Sequence, residues 1–334
     1  MAKTVNWGVL STAKIGREQV IPAMQKGKVS HVLGLASRNE ESARAVAKQL
    51  GIPRAYGSYE ALLADPEIDA VYNPLPNHLH VPWTIRALEA GKHVLCEKPI
   101  ALNAEEAETL IAVRDRTGLI VAEAFMVRHA PWWQRVRALV REGRLGRVSA
   151  IQTAFSYYLD DPTNIRNMAD IGGGGLMDIG CYAIATARYI WGAEPKRVAA
   201  LIERDPAMGT DRLASGLVQF PEGQLTFFCG TQLVPHQRVT IMGSKARIEV
   251  LIPFNAPKDT PCQILIDEGQ SLGGQDAEVE SFAPCDQYTR QGDAVSRAIL
   301  GEEPLEFPLE DAIANMRVID ALFRAGERGA WETV

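Results

Sequence analysis

The first 123 residues alternate short apolar runs with segments of helical composition, and nothing else in the chain restricts its fold as much. Val5–Leu10, His31–Ser37, Ala70–Asn73, His93–Cys96 and Leu119–Glu123 read as strands. Ile15–Gln25, Glu40–Leu50, Pro82–Ala90 and Ala104–Arg116 read as the helices between them. Gly51, Gly91 and Gly118 stop three of these helices, and Pro22 bends or shortens the first. Such alternation predicts a parallel sheet covered by helices on both faces. Sheets of this kind bind ligands at the carboxyl ends of their strands, so the residues that follow each strand carry the information.

The second half has a different rhythm. Val148–Leu159, Arg197–Arg204, Leu213–Phe220, Leu225–Cys229, Arg238–Met242 and Arg247–Ile252 are strand candidates, with hairpin turns at Pro221-Glu222-Gly223 and Gly243-Ser244. Consecutive hairpins imply a largely antiparallel sheet. Two helices, Gln287–Leu300 and Leu309–Ala325, close the chain, and Pro131–Glu142 is expected to bridge the halves. The 334 residues are too many for one ordinary core and comfortable for two. The expected domains are 1–122 and 123–334.

The formal net charge of -6 leaves no basic stripe of the kind that binds nucleic acid. Small anionic ligands stay compatible, because a cationic pocket can sit in an acidic protein. No apolar run approaches the ~18 residues of a membrane span. The opening MAKTVNWGVL runs into a strand rather than a leader with a cleavage site. Cys96, Cys181, Cys229, Cys262 and Cys285 are widely spaced without a CxxC pair, which suits reduced thiols in a cytoplasmic protein. The six histidines show no metal-ligand spacing, so no metal is expected.

Gly8-Val9-Leu10-Ser11-Thr12-Ala13-Lys14-Ile15-Gly16 joins the first strand to the first helix. A dinucleotide fold needs a tight turn here, so that backbone N–H groups and the helix N-terminus face a pyrophosphate. Ser11, Ala13 and Gly16 occupy the glycine positions of the usual G-x-G-x-x-G fingerprint. Small residues still permit close approach of the backbone, and Thr12 and Ile15 complete the expected cofactor-binding loop. The plain alternative is an ordinary strand–helix turn. The second strand ends in Ala36-Ser37-Arg38-Asn39, where a carboxylate would hold the ribose 2′-OH of NAD. Arg38 instead offers a planar cationic fork to a 2′-phosphate, so NADP is expected, with NAD the alternative.

Cys96-Glu97-Lys98-Pro99 follows the strand His93–Cys96 and places Lys98 where the nicotinamide half of a cofactor lies. An ammonium beside a reacting C–OH can bind the oxygen, stabilise developing negative charge and depress a neighbouring acid's pKa. A solvated lysine is the plain alternative. Four glycines, Gly172–Gly175, do not suit a helix interior and read as a tight approach loop. Leu176–Trp191 reads as a helix on which Asp178 and Tyr182, i and i+4, share a face. The two can converge on a polyol, or serve as a first-turn dipole partner and a half-buried packing residue. Trp132 and Trp133 are expected to pack between domains. Tyr157 and Tyr158 point to opposite faces of a strand, so at most one faces the cleft.

Asn73-Pro74-Leu75-Pro76-Asn77-His78-Leu79-His80 and Glu123-Ala124-Phe125-Met126-Val127-Arg128-His129 join these motifs. Taken in order, with the loop, Glu97-Lys98-Pro99 and Gly172–Tyr182, they make a sequence that resembles the Gfo/Idh/MocA oxidoreductase family over nearly its whole length. The resemblance implies an α/β fold: an N-terminal Rossmann domain and a C-terminal α+β domain built on a largely antiparallel open sheet. In that family the sheet commonly supports dimerisation, so a homodimer through it is expected. The resemblance also implies cofactor-binding roles for Leu75, Asn77, His80, Glu97 and Lys98, beside Ser11, Thr12, Ala13, Ile15, Ser37 and Arg38. Many members carry histidine at the position of Tyr182. Tyrosine there is similar to the branch that holds glucose–fructose oxidoreductase, dimeric dihydrodiol dehydrogenase and D-xylose dehydrogenase.

The expected reaction is oxidation of a cyclic aldose, a pentose such as xylose or apiose or a hexose, at the anomeric carbon to a lactone. Tyr182 takes the hydroxyl proton, Lys98 favours the phenolate and binds the same oxygen, and Asp178, Asn164 and Arg166 hold the remaining hydroxyls. An unshifted phenol is a poor base at neutral pH, hence the need for Lys98. The competing expectations are an NADPH-dependent reductase of a keto-sugar, an NAD-retaining glycosidase on the same fold, and a non-catalytic sensor of NADP or sugar. A sensor has no need of a proton-transfer pair.

Overall fold

The computed structural model describes residues 3–334 and divides into two units. In the first, six strands form one sheet: β1 (Val5–Leu10), β2 (Ser30–Ala36), β3 (Arg54–Tyr56), β4 (Ala70–Asn73), β5 (His93–Cys96) and β6 (Val121–Glu123). Their order is β3-β2-β1-β4-β5-β6, and every neighbouring pair runs parallel. The order reverses between β1 and β4, which places a crevice beyond the carboxyl ends of these two strands. The sequence reading missed β3 and α3 (Tyr59–Leu63); elements of three and five residues are too short to show a period.

The helices start and stop where local chemistry dictates. Asn39 caps α2 (Glu40–Leu50) by accepting from Ser42 N–H at 2.9 Å, and Asn103 caps α5 (Ala104–Thr117) from Glu106 N–H at 2.8 Å. The first expected helix is divided. A π-helical turn, Gly16–Val20, leads into α1 (Ile21–Met24), whose second residue is Pro22. Proline has no N–H to donate back one turn, so a regular α-helix cannot run through this position. The fourth crossover helix, α4 (His80–Glu89), begins two residues before its expected start.

The second unit is built on a nine-stranded sheet. Its strands are β7 (Val148–Tyr158), β8 (Arg197–Arg204), β9 (Asp211–Gln219), β10 (Gln224–Gly230), β11 (Gln232–Gly243), β12 (Arg247–Val250), β13 (Cys262–Asp267), β14 (Glu278–Phe282) and β15 (Glu332–Thr333). The order is β14-β13-β12-β11-β7-β10-β9-β8-β15; β7 and β10 are parallel and the other neighbours antiparallel. Both expected turns are hairpins: Phe220 N–H bonds Gly223 O at 2.9 Å, and Gly243 N–H bonds Ala246 O at 2.9 Å. Helices α6 (Pro131–Arg141) and α7 (Cys181–Trp191) pack on this sheet. Trp132 and Trp133 are buried at the start of α6, and the Trp133 indole donates to Pro253 O within the same unit.

Two helices, α8 (Gln287–Ile299) and α9 (Leu309–Arg328), stand between β14 and β15 in the chain. The division differs from the expected one. The first unit runs to Met126 rather than residue 122, and Asp286–Ile313 returns to it. The tie is specific: the Asp293 carboxylate accepts from Lys28 and Val29 N–H, and Ser296 Oγ accepts from the Trp7 indole at 3.0 Å. An amphipathic helix shows in its sequence that it covers a core, not which one.

Candidate active site

In the first unit, the ends of β1, β2, β4 and β5 bring most of the expected cofactor residues to one edge of the sheet. The turn after β1 hinges on Ser11, which has φ +87. That conformation is uncommon for a residue with a side chain and is what the first fingerprint glycine ordinarily supplies. Ser11 Oγ compensates by accepting from Ala13 N–H at 3.1 Å, and Ser11 N–H bonds Ala36 O at 2.9 Å. Arg17 Nε donates to Thr12 O at 2.9 Å and braces the turn from the following helix. The loop thus reproduces the fingerprint bend without the first two glycines and keeps the third, a buried Gly16 at the helix start. These residues fit a dinucleotide pyrophosphate. At the end of β2, Ser37 is tied into the sheet and Arg38 is exposed. No carboxylate stands among Ser37, Arg38 and Asn39, a donor set that fits a 2′-phosphate.

Glu97 and Lys98 follow β5. Tyr72 on β4 donates its hydroxyl to Glu97 Oε1 at 2.7 Å, and burial together with the Glu97 charge pushes that phenol well above its ordinary range. Glu97 is therefore a fixed acceptor beside Lys98. Asn73 Oδ1 accepts from Leu75 N–H and its amide donates to His80 O, which shapes the Leu75–Asn77 loop. His80 has a different place from the one expected. It is 1% exposed, and its ring nitrogens face Pro99 O at 2.8 Å and Leu75 O at 2.7 Å. Burial lowers its pKa to about 4 against the pull of the two carbonyls, so the neutral ring donates to one of them at a time. Its side chain joins the loops after β4 and β5.

In the second unit, the expected helix 176–191 is also divided. Leu176–Gly180 forms a π-helical turn and α7 follows directly. A π turn holds an extra residue, so the i,i+4 stacking of Asp178 and Tyr182 expected for an α-helix is altered; such turns are frequent at functional sites. Asp178 Oδ2 accepts from Tyr157 Oη at 2.7 Å and from Arg166 Nε at 3.0 Å. Burial and the Asp178 charge raise the Tyr157 phenol, which keeps it a donor. Tyr158, its neighbour on β7, is 62% exposed, so one of the two tyrosines reaches the site. Asn164 Oδ1 accepts from Arg166 N–H at 3.1 Å, capping a 3-10 turn, and so supports Arg166. Tyr182 is 5% exposed and lies against Phe155 and Phe254, with ring centroids 5.9 and 5.2 Å away.

Two residues were not singled out from sequence. Tyr157 was left open by strand alternation, which gives a face but not a partner. Asp211, at the start of β9, is buried beneath the glycine run and accepts from Leu176 N–H at 2.5 Å. Its partner is 35 positions away, and no motif marks it.

Comparison with known proteins identifies the family. A family model described as an oxidoreductase family with NAD-binding Rossmann fold matches residues 5–125, and the GFO/IDH/MocA C-terminal domain matches residues 133–249. An uncharacterized oxidoreductase of Rhizobium meliloti is 48% identical over 331 residues, covering 99% of each chain. A D-xylose 1-dehydrogenase (NADP(+)) of Haloferax volcanii is 38% identical, covering 97% of this chain and 98% of the other. Among solved structures, a 3-ketoreductase from Actinomadura kijaniata in complex with NADP and TDP-benzene superposes with a TM-score of 0.88 at 30% identity, covering 97% and 98% of the two chains. No helix among the described residues is long and apolar enough to cross a membrane. The chain belongs to the Gfo/Idh/MocA family and is an NAD(P)-dependent oxidoreductase.

Proposed function

We propose that the chain oxidises a cyclic aldose, a pentose or a hexose, at its anomeric carbon to the lactone, with NADP as acceptor. The observation that carries this reading is the Asp178 carboxylate fixed by Tyr157 and Arg166, with Tyr182 on the same helical segment, in a chain that keeps Lys98 after β5. The full-length likeness to a D-xylose 1-dehydrogenase supports the substrate class. Structures of the Actinomadura reductase include variants of a lysine and of a tyrosine whose sequence separation equals that of Lys98 and Tyr182. That equality supports treating these two as a working pair.

A bound nicotinamide would supply the acceptor for the hydride of the anomeric carbon. Tyr182 takes the proton of the anomeric hydroxyl. Lys98 donates to the same oxygen and stabilises the charge that develops there. Asp178 accepts from neighbouring sugar hydroxyls, and Arg166 supplies donors, with Asn164 holding its loop. The Ser11–Ile15 turn binds the pyrophosphate, Arg38 the 2′-phosphate, and Glu97 the carboxamide side of the nicotinamide pocket with Leu75 and Asn77. We further propose a homodimer through the outward face of the large sheet, where Leu201 and Phe228 are 79% and 37% exposed. The unbridged cysteines fit a reducing compartment, so the cytoplasm is the proposed location.

The Actinomadura relative supports a second reading: reduction of a keto-sugar, with Tyr182 giving the proton and Lys98 binding the same oxygen. Steady-state kinetics of Lys98→Met and Tyr182→Phe test the shared chemistry. Each is expected to lower kcat at least a hundredfold. Activity close to wild type in both variants would sink the assignment.

A further inference from the structure

We infer that Asp211 is a positioning residue for the catalytic segment: its carboxylate clamps the N–H groups that open the Leu176–Gly180 turn and so fixes where Asp178 and Tyr182 stand. The inference rests on the reading above, in which those two residues act on the sugar. Asp211 is 1% exposed. Its Oδ2 accepts from Leu176 N–H at 2.5 Å, and the Gly175 N–H also bonds to it. Two residues further on, Asp178 N–H bonds Gly174 O at 3.0 Å. The leading N–H groups of a helix lack internal acceptors and carry the positive end of its dipole, so a carboxylate is the natural clamp.

The second half of the glycine run, Gly174 and Gly175, takes its explanation from the same residue. Gly174 has φ +119, and a β-carbon there would overlap the Asp211 carboxylate. At Gly175 a β-carbon would lie 3.3 Å from Asp211 O. These glycines admit the clamp; approach of a substrate is not needed to account for them. The other ionisable groups facing Asp211 are Arg204 on β8 and the Cys229 thiol on β10. Arg204 donates to Gly209 O at 3.1 Å and lies 4.0 Å from Glu327, which leaves the backbone N–H groups as the principal partners of the carboxylate. Burial raises the Asp211 carboxyl to about 6, so the clamp is charged at neutral pH and loses its charge on mild acidification.

Asp211→Asn keeps the shape and removes the charge. The expected result is a kcat at least tenfold lower, an NADP Kd within twofold of wild type, and loss of the acid limb of kcat near pH 6. A second measurement needs no variant: amide exchange of residues 174–178 in the wild-type chain, corrected for intrinsic rates. Protection is expected to fall as pH drops through about 6. A flat protection profile, or unchanged kcat in Asp211→Asn while Tyr182→Phe is inactive, overturns the inference. A fully active Tyr182→Phe removes the catalytic pair instead, and the exchange profile then still judges the clamp.

Discussion

A carboxylate kept for function rather than stability should reveal itself when its charge is removed, and Asp211 permits a worked number. Burial raises its carboxyl from an ordinary 3.8 to about 6, outweighing the N–H groups that favour the charged form. Each pKa unit corresponds to about 1.4 kcal/mol, so the ionised group costs the folded state about 3 kcal/mol relative to the unfolded chain. Between the two values the folded chain binds more protons than the unfolded one. Stability therefore falls as pH rises from about 4 to about 6, and it is level above that. Asp211→Asn removes this loss. It should differ from wild type by less than about 1 kcal/mol at pH 4 and be more stable by about 3 kcal/mol at pH 8. Urea unfolding at several pH values measures the difference. A difference that does not change with pH, or a variant less stable than wild type at pH 8, refutes the reasoning. Combined with lower kcat, the predicted result describes a charge that lowers stability and raises activity.

Three further outcomes follow from the geometry. Ser11→Gly relieves φ +87, worth about 1–2 kcal/mol, but loses the bond to Ala13 N–H, so its net effect on urea stability should lie within about 1 kcal/mol of zero. Ser11→Ala keeps the strained backbone without the bond and should lose about 1 kcal/mol, with weaker NADP binding by titration. Arg38→Ala should weaken NADP at least tenfold while leaving NAD within twofold, measured as Kd for each cofactor. Replacing Leu201 and Phe228 with Asp should convert a dimer to a monomer in sedimentation, since the two side chains lie in one cross-strand row through Ser215.

The parallel sheet was legible because its buried strands are short apolar runs set off by glycine, proline and helical segments. β1, β4 and β5 therefore stand at their expected bounds. β14 escaped notice because it is a partly exposed, polar edge strand. The motifs proposed as catalytic were legible as motifs, but their local geometry was not. Composition across 176–191 is helical throughout, and only the close packing of Gly180 near Leu176 and Cys229 shows how tightly the π turn is set. The bend at Ser11 was not legible, because a serine does not announce a positive φ as a glycine does. The burial of His80 was not legible because a surface histidine and a buried one are identical in sequence; its two carbonyl partners come from separate loops. Asp211 depends wholly on a long-range contact, which no local pattern encodes.

The central claim is tested most directly by offering the purified chain a panel of aldoses and polyols with NADP and with NAD, followed at the absorbance of the reduced nicotinamide. NADP reduction with a pentose or hexose, with the lactone as product, is the predicted result. Absence of turnover with every aldose, together with NADPH oxidation by a keto-sugar, would contradict it and establish the reductase reading.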